Sequence, residues 1–322
     1  MYLNQILENK KFVLNRFFGW LLICILIAFM INNVINLSFQ IPPAQDLILK
    51  NNYLSLIPVS IYLIAVFISF YISFAFIKKS YKWDSLILHN FNVYFIRSCF
   101  WSILLIGTVD VTIAFIRVEE ISNLIFDDTL VKALKKPSFV CTFIHIPLLC
   151  IGFFIGYITK TLGFTWLALM IVCAELIIVI TRFVFSYEQS FMGDLVRYWY
   201  AGLFLFASAY TLYDDGHVRV DVFYTNLKPR TKALVNTLGS IFLGVSTCLA
   251  IIFVGFNGKQ AIINSPILNF EITQTVSVGM FVKYQMAAFL GIFAITMLIQ
   301  FVSYYFISLS DYTEKSQKVG KS

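Results

Sequence analysis

Residues 162–181 of the chain read LGFTWLALMIVCAELIIVIT, a run in which Glu175 is the only acidic or basic side chain. A hydrocarbon core about 30 Å thick requires about 20 apolar residues in a helix, because lipid offers no hydrogen-bond partner to backbone N–H and C=O groups. The run therefore predicts a membrane-spanning α-helix. It also carries an acid at a depth where an acid is costly.

Further runs of similar length and apolarity lie on both sides of this one. Together they predict an all-α protein, a polytopic membrane bundle of about eight transmembrane helices. The runs lie at 17–37, 54–77, 99–116, 139–158, 162–181, 195–213, 233–256 and 284–307. The run at 195–213 is the weakest, since Arg197 must extend its charged head to the membrane surface. A count of seven is the alternative.

The composition supports a membrane protein. Of the 322 residues, 59% are hydrophobic and 13% are charged, whereas soluble domains average about 45–50% apolar and about 25% charged residues. These values exclude disordered, collagen-like and coiled-coil chains. We attribute the net charge of +7 to cytoplasmic loops rather than to nucleic-acid binding, because such loops are rich in Lys and Arg in polytopic proteins.

The positions of Lys and Arg predict the orientation of the bundle. With a cytoplasmic N-terminus, the inner segments hold most of the 24 basic residues, so both termini are predicted in the cytoplasm. This count treats residues 78–97 as an inner loop. The outer loop at 117–136 has regularly spaced apolar residues and predicts an amphipathic helix along the interface.

Three ionisable residues are predicted inside the spans, where each is a functional candidate by default. They are Asp110, His145 and Glu175. We predict that they lie on three helices without the acid–histidine chain expected of a pump, and we favour helix packing over an ion site for each. A haem would need a second histidine opposite His145. Because His89 and His217 are predicted in loops, haem is disfavoured.

The sequence lacks the motifs of soluble enzymes, such as a P-loop, a zinc-binding H-E-x-x-H or a nucleophile elbow. Its six cysteines form no C-x-x-C pair, which argues against a thiolate metal site. We therefore predict that the chain is not an enzyme and has no catalytic residues, no metal and no cofactor.

The most informative stretch lies between residues 214 and 235. It reads DDGHVRVDVFY at 214–224 and LKPRTKALV at 227–235. Pro229 suits the first turn of a helix, whereas Lys228 before it is a poor N-cap. This stretch resembles the small membrane subunit of tripartite ATP-independent periplasmic (TRAP) transporters, the DctQ-type small permease. The residues that carry the resemblance, and that are expected to contact the partner subunit, are Gly216, His217, Val218, Arg219, Val220, Asp221, Pro229 and Arg230.

The resemblance covers about residues 162–310 and implies three regions. They are an N-terminal extension of four helices at 1–160, a DctQ-like core at 161–310 and a polar cytoplasmic tail at 311–322. It places the chain in the bacterial inner membrane, in contact with lipid. Its implied partners are a large DctM-type permease and a periplasmic substrate-binding protein. Asp194 and Arg197 would then lie near the outer surface, where the binding protein docks.

The resemblance also implies a scaffold without a transport site of its own. In the family, the large elevator subunit carries out sodium-coupled uptake of organic acids, and the small subunit braces it. Two alternatives stay open. One is an autonomous ion-coupled carrier that uses Asp110 and Glu175. The other is a membrane redox subunit, which would need cofactor ligands.

Overall fold

Regular structure in the described part of the chain is helical. A computed structural model describes residues 2–214, 222–272 and 278–319, with side chains described from residue 11 to residue 314. These segments contain no β-strand. Seven helices within them are long and apolar enough to cross a membrane, which confirms the predicted all-α membrane fold.

Eight long helices hold most of the described residues. They are α1 (Tyr2–Phe39), α2 (Leu56–Ala75), α3 (Tyr81–Val118), α4 (Pro137–Ile158), α5 (Phe164–Val184), α6 (Ser190–Tyr213), α7 (Pro229–Gly255) and α8 (Lys283–Val319). Helices α4 and α7 each contain a π-helical segment, Cys141–His145 and Ser240–Val245 respectively. The predicted outer loop holds two short helices, Ser122–Ile125 and Asp128–Leu134.

Helix α6 accounts for the difference between the eight predicted spans and the seven apolar helices. It has 24 residues, a rise of about 36 Å at about 1.5 Å per residue, so its length suffices to cross the hydrocarbon. Its first turns carry Asp194 and Arg197, and it is not among the seven apolar helices of the described segments. The predicted span is therefore present as a helix that is more polar than the others.

Helix α3 contradicts the predicted inner loop at 78–97. The helix begins at Tyr81, so His89 and Arg97 are helical, and His89 is buried. The prediction was wrong because it treated the polar residues of this stretch as solvent-exposed. In the structure Arg97 Nη1 donates to the carbonyl oxygen of Thr159 at 2.6 Å, so the guanidinium has a partner within the protein.

Contacts along the chain divide it into two compact units. The first unit comprises Met1–Asn90, His217–Lys259 and Met297–Ser322, and the second comprises Phe91–Gly216 and Gln260–Thr296. Helices α3 and α8 contribute residues to both. Each unit therefore takes residues from both sides of the boundary predicted at residue 160.

The first unit has close helix contacts formed by small residues. Gly19 of α1 lies against the ring of Phe306 in α8, so that a Cβ atom there would come within 2.3 Å of the ring. Cys24 and Ala28 of α1 pack against Ala65 of α2. Small residues allow helix backbones to approach closely where lipid supplies no hydrophobic drive for association.

A buried ion pair, Arg16–Asp84, fixes the start of the first unit. Both side chains are fully buried, and Arg16 Nη2 lies 2.7 Å from Asp84 Oδ2. Arg16 also donates to the backbone carbonyl oxygens of Phe76 and Lys79, just after α2. The indole of Trp20 donates to Asp84 Oδ1 at 3.0 Å. The pair thus ties α1 to the end of α2 and the start of α3.

The second unit brings α3 and α4 together through four small residues. Gly152 and Gly156 of α4 lie against Ser102 and Ser98 of α3. A Cβ atom at Gly152 would come within 2.3 Å of Ser102 Oγ and 2.6 Å of its Cα. The backbones of the two helices are therefore in near contact along this seam.

Candidate functional site

Asp110 of α3 and His145 of α4 form a buried acid–histidine pair in the second unit. His145 Nε2 lies 3.2 Å from Asp110 Oδ1, and each side chain is 2% exposed. The prediction that the ionisable residues would not form an acid–histidine chain is therefore wrong for these two. Glu175, the third candidate, lies exposed on α5.

The close contact between α3 and α4 at Gly152 and Gly156 explains why Asp110 and His145 meet. Ser102 faces Gly152, and Asp110 lies eight residues further along α3, while His145 lies seven residues back along α4. Two antiparallel helices in close contact bring such positions together. His145 is the last residue of a π-helical segment, and Pro147 follows it. Because proline lacks an N–H and its ring clashes with the carbonyl four residues earlier, an altered hydrogen-bond register accommodates it.

Two residues at the start of α8 contact the other nitrogen of His145. Its Nδ1 lies 2.8 Å from the Tyr284 hydroxyl oxygen and 3.0 Å from Gln285 Nε2. Both groups are within hydrogen-bond distance of Nδ1, while Nε2 faces Asp110. Gln285 Oε1 in turn accepts from the Tyr198 hydroxyl of α6. The imidazole thus links Asp110 to α8.

The acids of the second unit also hold the loop that precedes α8. Asp110 Oδ2 accepts the backbone N–H of Phe281 at 2.8 Å, and Asp194 Oδ2 accepts that of Met280 at 3.2 Å. Hydrogen bonds to an ionised acceptor are about twice as strong as neutral ones. Two carboxylates from different helices therefore anchor two consecutive residues of one loop.

Arg117, near the end of α3, completes the anchorage of this loop. It donates to the carbonyl oxygen of Gly279, and its guanidinium lies 4.1 Å from the centre of the Phe281 ring. Met280, Phe281 and Val282 are almost fully buried. The segment 278–282 is thus held on both its N–H and its C=O groups. We call Asp110, His145, Asp194 and Arg117, together with this segment, the loop anchor.

Asp194 and Arg197, which were predicted together as docking residues, lie in different environments. Asp194 is 5% exposed and Arg197 is 79% exposed, and Arg197 Nη1 lies 3.9 Å from Asp194 Oδ1. The other oxygen of Asp194 holds Met280. Of the two predicted residues, only Arg197 presents its side chain at the surface.

Most of the predicted partner motif lies outside the described residues, namely Gly216, His217, Val218, Arg219, Val220 and Asp221. Pro229 and Arg230 are described. Pro229 begins α7, and Lys228 before it makes no side-chain capping hydrogen bond, as predicted. Arg230 donates to the Tyr312 hydroxyl at 2.9 Å and lies 4.9 Å from the centre of its ring.

The loop anchor is suited to fixing structure. Both oxygens of Asp110 are used by protein groups, and the described residues contain no group of three or more His, Cys, Asp or Glu suited to a metal. Sequence reasoning missed Tyr198, Tyr284 and Gln285. The signal for the last two was available, because they are adjacent polar residues at the start of the last apolar run.

Comparison with known proteins relates the second half of the chain to a transporter family. The family model described as the DctQ component of tripartite ATP-independent periplasmic transporters matches residues 168–305. The match begins in α5 and ends in α8, so it includes Asp194, Arg197 and the motif at 216–221. No curated protein and no solved structure gives a significant match.

Proposed function

We propose that this chain, which matches the DctQ model of TRAP transporter components at residues 168–305, is a small permease subunit that braces a large DctM-type permease during uptake of organic acids. Transport would be coupled to sodium and would depend on a periplasmic binding protein, in the bacterial inner membrane. The observation that carries this proposal is the family match at residues 168–305.

The loop anchor supports a bracing role over autonomous transport. A carrier needs polar groups that can release and rebind an ion, whereas Asp110 and Asp194 both hold backbone N–H groups of one buried loop. Glu175, the other acid of the carrier hypothesis, lies exposed on α5, whereas the Asp110–His145 pair is buried. Groups engaged in this way stabilise one arrangement of helices, as a static subunit requires.

The environments of Asp194 and Arg197 refine the proposed docking role. Arg197 is the group that would contact the binding protein, because it is 79% exposed. Asp194 would act as a positioning residue, since it is buried and fixes the segment 278–282. The predicted topology puts this end of α6 on the outer face, where a periplasmic partner binds.

We also propose that residues 161–310 supply the surface for the large subunit and that residues 1–160 are an extension with a separate role. This is a proposal about partner contacts rather than about independent folding. Gly19 packs on Phe306, and Asp110 holds Phe281, so the extension and the core share their packing. Deletion of residues 1–160 would therefore remove supports of α8 and of the loop before it.

Co-purification and flux measurements test the proposed function. The tagged full chain should retain a DctM-type subunit from membranes of its source bacterium. Proteoliposomes holding both subunits should take up a labelled dicarboxylate, sugar acid or 2-oxo acid only with the binding protein and an inward sodium gradient. Flux through vesicles that contain this chain alone would contradict the proposal.

The motif residues outside the described segments allow a sharper test. Charge reversal by Arg219→Glu should lower co-purification of the large subunit without unfolding the chain. Lys132→Glu, which changes an exposed residue of the predicted outer loop, is the matched control and should leave co-purification unchanged. Equal retention of the large subunit by both variants would argue against the motif as the partner contact.

A further inference from the structure

The first unit contains a cavity lined by side-chain amides. It has a volume of about 710 Å³ and lies at the end of α1, next to the start of α2 and the end of α7. None of its described lining residues is charged. A large cavity with several neutral polar groups favours an uncharged ligand that forms many hydrogen bonds. Its carboxamides are those of Asn32, Asn33, Asn36, Gln45 and Asn257.

Two of these amides have an orientation fixed by the backbone. Asn32 Nδ2 donates to the carbonyl oxygen of Pro58 at 3.2 Å, and Asn36 Nδ2 donates to that of Ile41 at 2.7 Å. Because a carbonyl oxygen only accepts, each amide directs its nitrogen to the backbone and its oxygen away from it. Among the described residues, Asn32 Oδ1 is buried and has no hydrogen-bond partner. Buried polar atoms are normally hydrogen-bonded, so this acceptor still requires a donor.

Aromatic rings form another part of the wall. The ring centres of Phe29 and Phe253 are 5.3 Å apart, and Tyr62 and Phe256 also line the cavity. The negative face of an aromatic ring suits the C–H groups of a sugar or polyol skeleton, while carboxamides both donate to and accept from hydroxyl groups. A phosphate, carboxylate or ammonium would enter this cavity without a counter-charge, which is unfavourable.

We propose that this cavity binds a neutral polyhydroxyl group, supplied either by the sugar headgroup of a membrane glycolipid or by a soluble carbohydrate. The predicted topology puts the ends of α1 and α7 at the outer membrane surface, which both sources reach. This proposal is independent of the proposed bracing role, so either one can fail without affecting the other.

Binding of defined probes to the purified full chain tests the proposal. Glucosyl diacylglycerol in mixed detergent micelles is measured by native mass spectrometry, and methyl glucoside by titration calorimetry. Phosphatidylserine and phosphatidylethanolamine are the charged-lipid comparisons. Asn32→Leu removes the buried acceptor, and Asn257→Ala removes an exposed amide after α7. Asn90→Leu changes an exposed asparagine of α3 that does not line the cavity.

We expect the glucosyl lipid, methyl glucoside or both to bind in preference to the charged lipids. Loss of one hydrogen bond should weaken binding about fivefold in Asn32→Leu and in Asn257→Ala, with no change in Asn90→Leu. Preference for the glycolipid identifies a lipid headgroup as the source, and binding of methyl glucoside alone identifies a soluble carbohydrate.

Three results would overturn the proposal. They are binding of neither glucosyl probe, equal retention of phosphatidylserine, and unchanged affinity in both cavity variants. Because Asn257 is exposed and lies outside the helices, Asn257→Ala keeps the test decisive if Asn32→Leu does not fold.

Discussion

The two compact units bury charge in opposite ways. In the first unit the cation Arg16 holds the carbonyl oxygens of Phe76 and Lys79. In the second unit the acids Asp110 and Asp194 hold backbone N–H groups of the loop before α8. The first arrangement binds carbonyl oxygens just after a helix, and the second binds backbone N–H groups just before a helix.

This difference predicts that substitutions of the buried charged residues will lower the stability of the two units by different amounts. Arg16 is compensated by a full counter-charge, Asp84, and both groups are completely buried. Asp110 accepts a hydrogen bond from a peptide N–H and lies 3.2 Å from an imidazole nitrogen. Removal of Arg16 therefore leaves an unpaired buried charge, whereas neutralisation of Asp110 leaves only an unmatched hydrogen bond. The first unit should be the more vulnerable one.

The largest effect is expected for Arg16→Met. Breaking a buried ion pair by removal of one partner costs about 3–5 kcal/mol, so the free energy of unfolding should fall by that amount. Denaturant unfolding in detergent micelles measures it. Lys11→Met, at an exposed residue of the same helix, is the control. A double variant, Arg16→Met with Asp84→Leu, should recover much of the loss, and a single variant no worse than the control would contradict the assignment.

Asp110→Asn should have a smaller and more local effect. Both oxygens of Asp110 face donors, and an amide offers one acceptor, so one donor is left unmatched. We expect a loss of about 1.5–3 kcal/mol and faster hydrogen exchange of the Met280 and Phe281 amides. Glu175→Gln makes the same acid-to-amide change at an exposed site and should alter neither quantity. Unchanged exchange in Asp110→Asn would show that the loop does not depend on the acid.

The helices and two of the buried ionisable residues could be predicted from the sequence. The contacts between side chains of different helices could not. Runs of apolar residues located the helices, and the cost of charge in lipid selected Asp110 and His145. The contact between them depends on how α3 and α4 pack, which residue spacing within one helix does not specify. The same limitation produced the error at 78–97, because the carbonyl oxygen that accepts from Arg97 belongs to Thr159, far away in the sequence.

One packing signal was present in the sequence and was not used. Gly152 and Gly156 are separated by three residues, as are Ser98 and Ser102, and small residues at this spacing are typical of closely packed membrane helices. Had the two motifs been aligned as antiparallel partners, Asp110 would have been expected near His145. Tyr198 and Gln285, in contrast, have no comparable signal for their mutual contact.

Gly152→Ala tests this seam and should have an intermediate effect. The new Cβ atom would meet both the hydroxyl and the Cα of Ser102, and overpacking of this kind costs about 1–3 kcal/mol. The added cost of Asp110→Asn should shrink in this background, while that of Arg16→Met should not. Gly193→Ala is the control, because nothing lies within 4 Å of a Cβ atom there, and it should be neutral or slightly stabilising. Equal destabilisation by both alanine variants would show that close packing of α3 against α4 does not account for the effect of Gly152→Ala.

The smallest effect on stability is expected for Arg197→Gln. Arg197 is 79% exposed and lies 3.9 Å from Asp194, and exposed ion pairs contribute about 0–1 kcal/mol. Asp194→Asn should destabilise more, since it weakens the bond to Met280. If Arg197 docks the binding protein, Arg197→Gln should slow association and reduce its dependence on salt, with unfolding nearly unchanged. Surface plasmon resonance at two ionic strengths measures this. If Arg197→Gln unfolds as readily as Asp194→Asn, Arg197 belongs to the loop anchor and is not a surface contact.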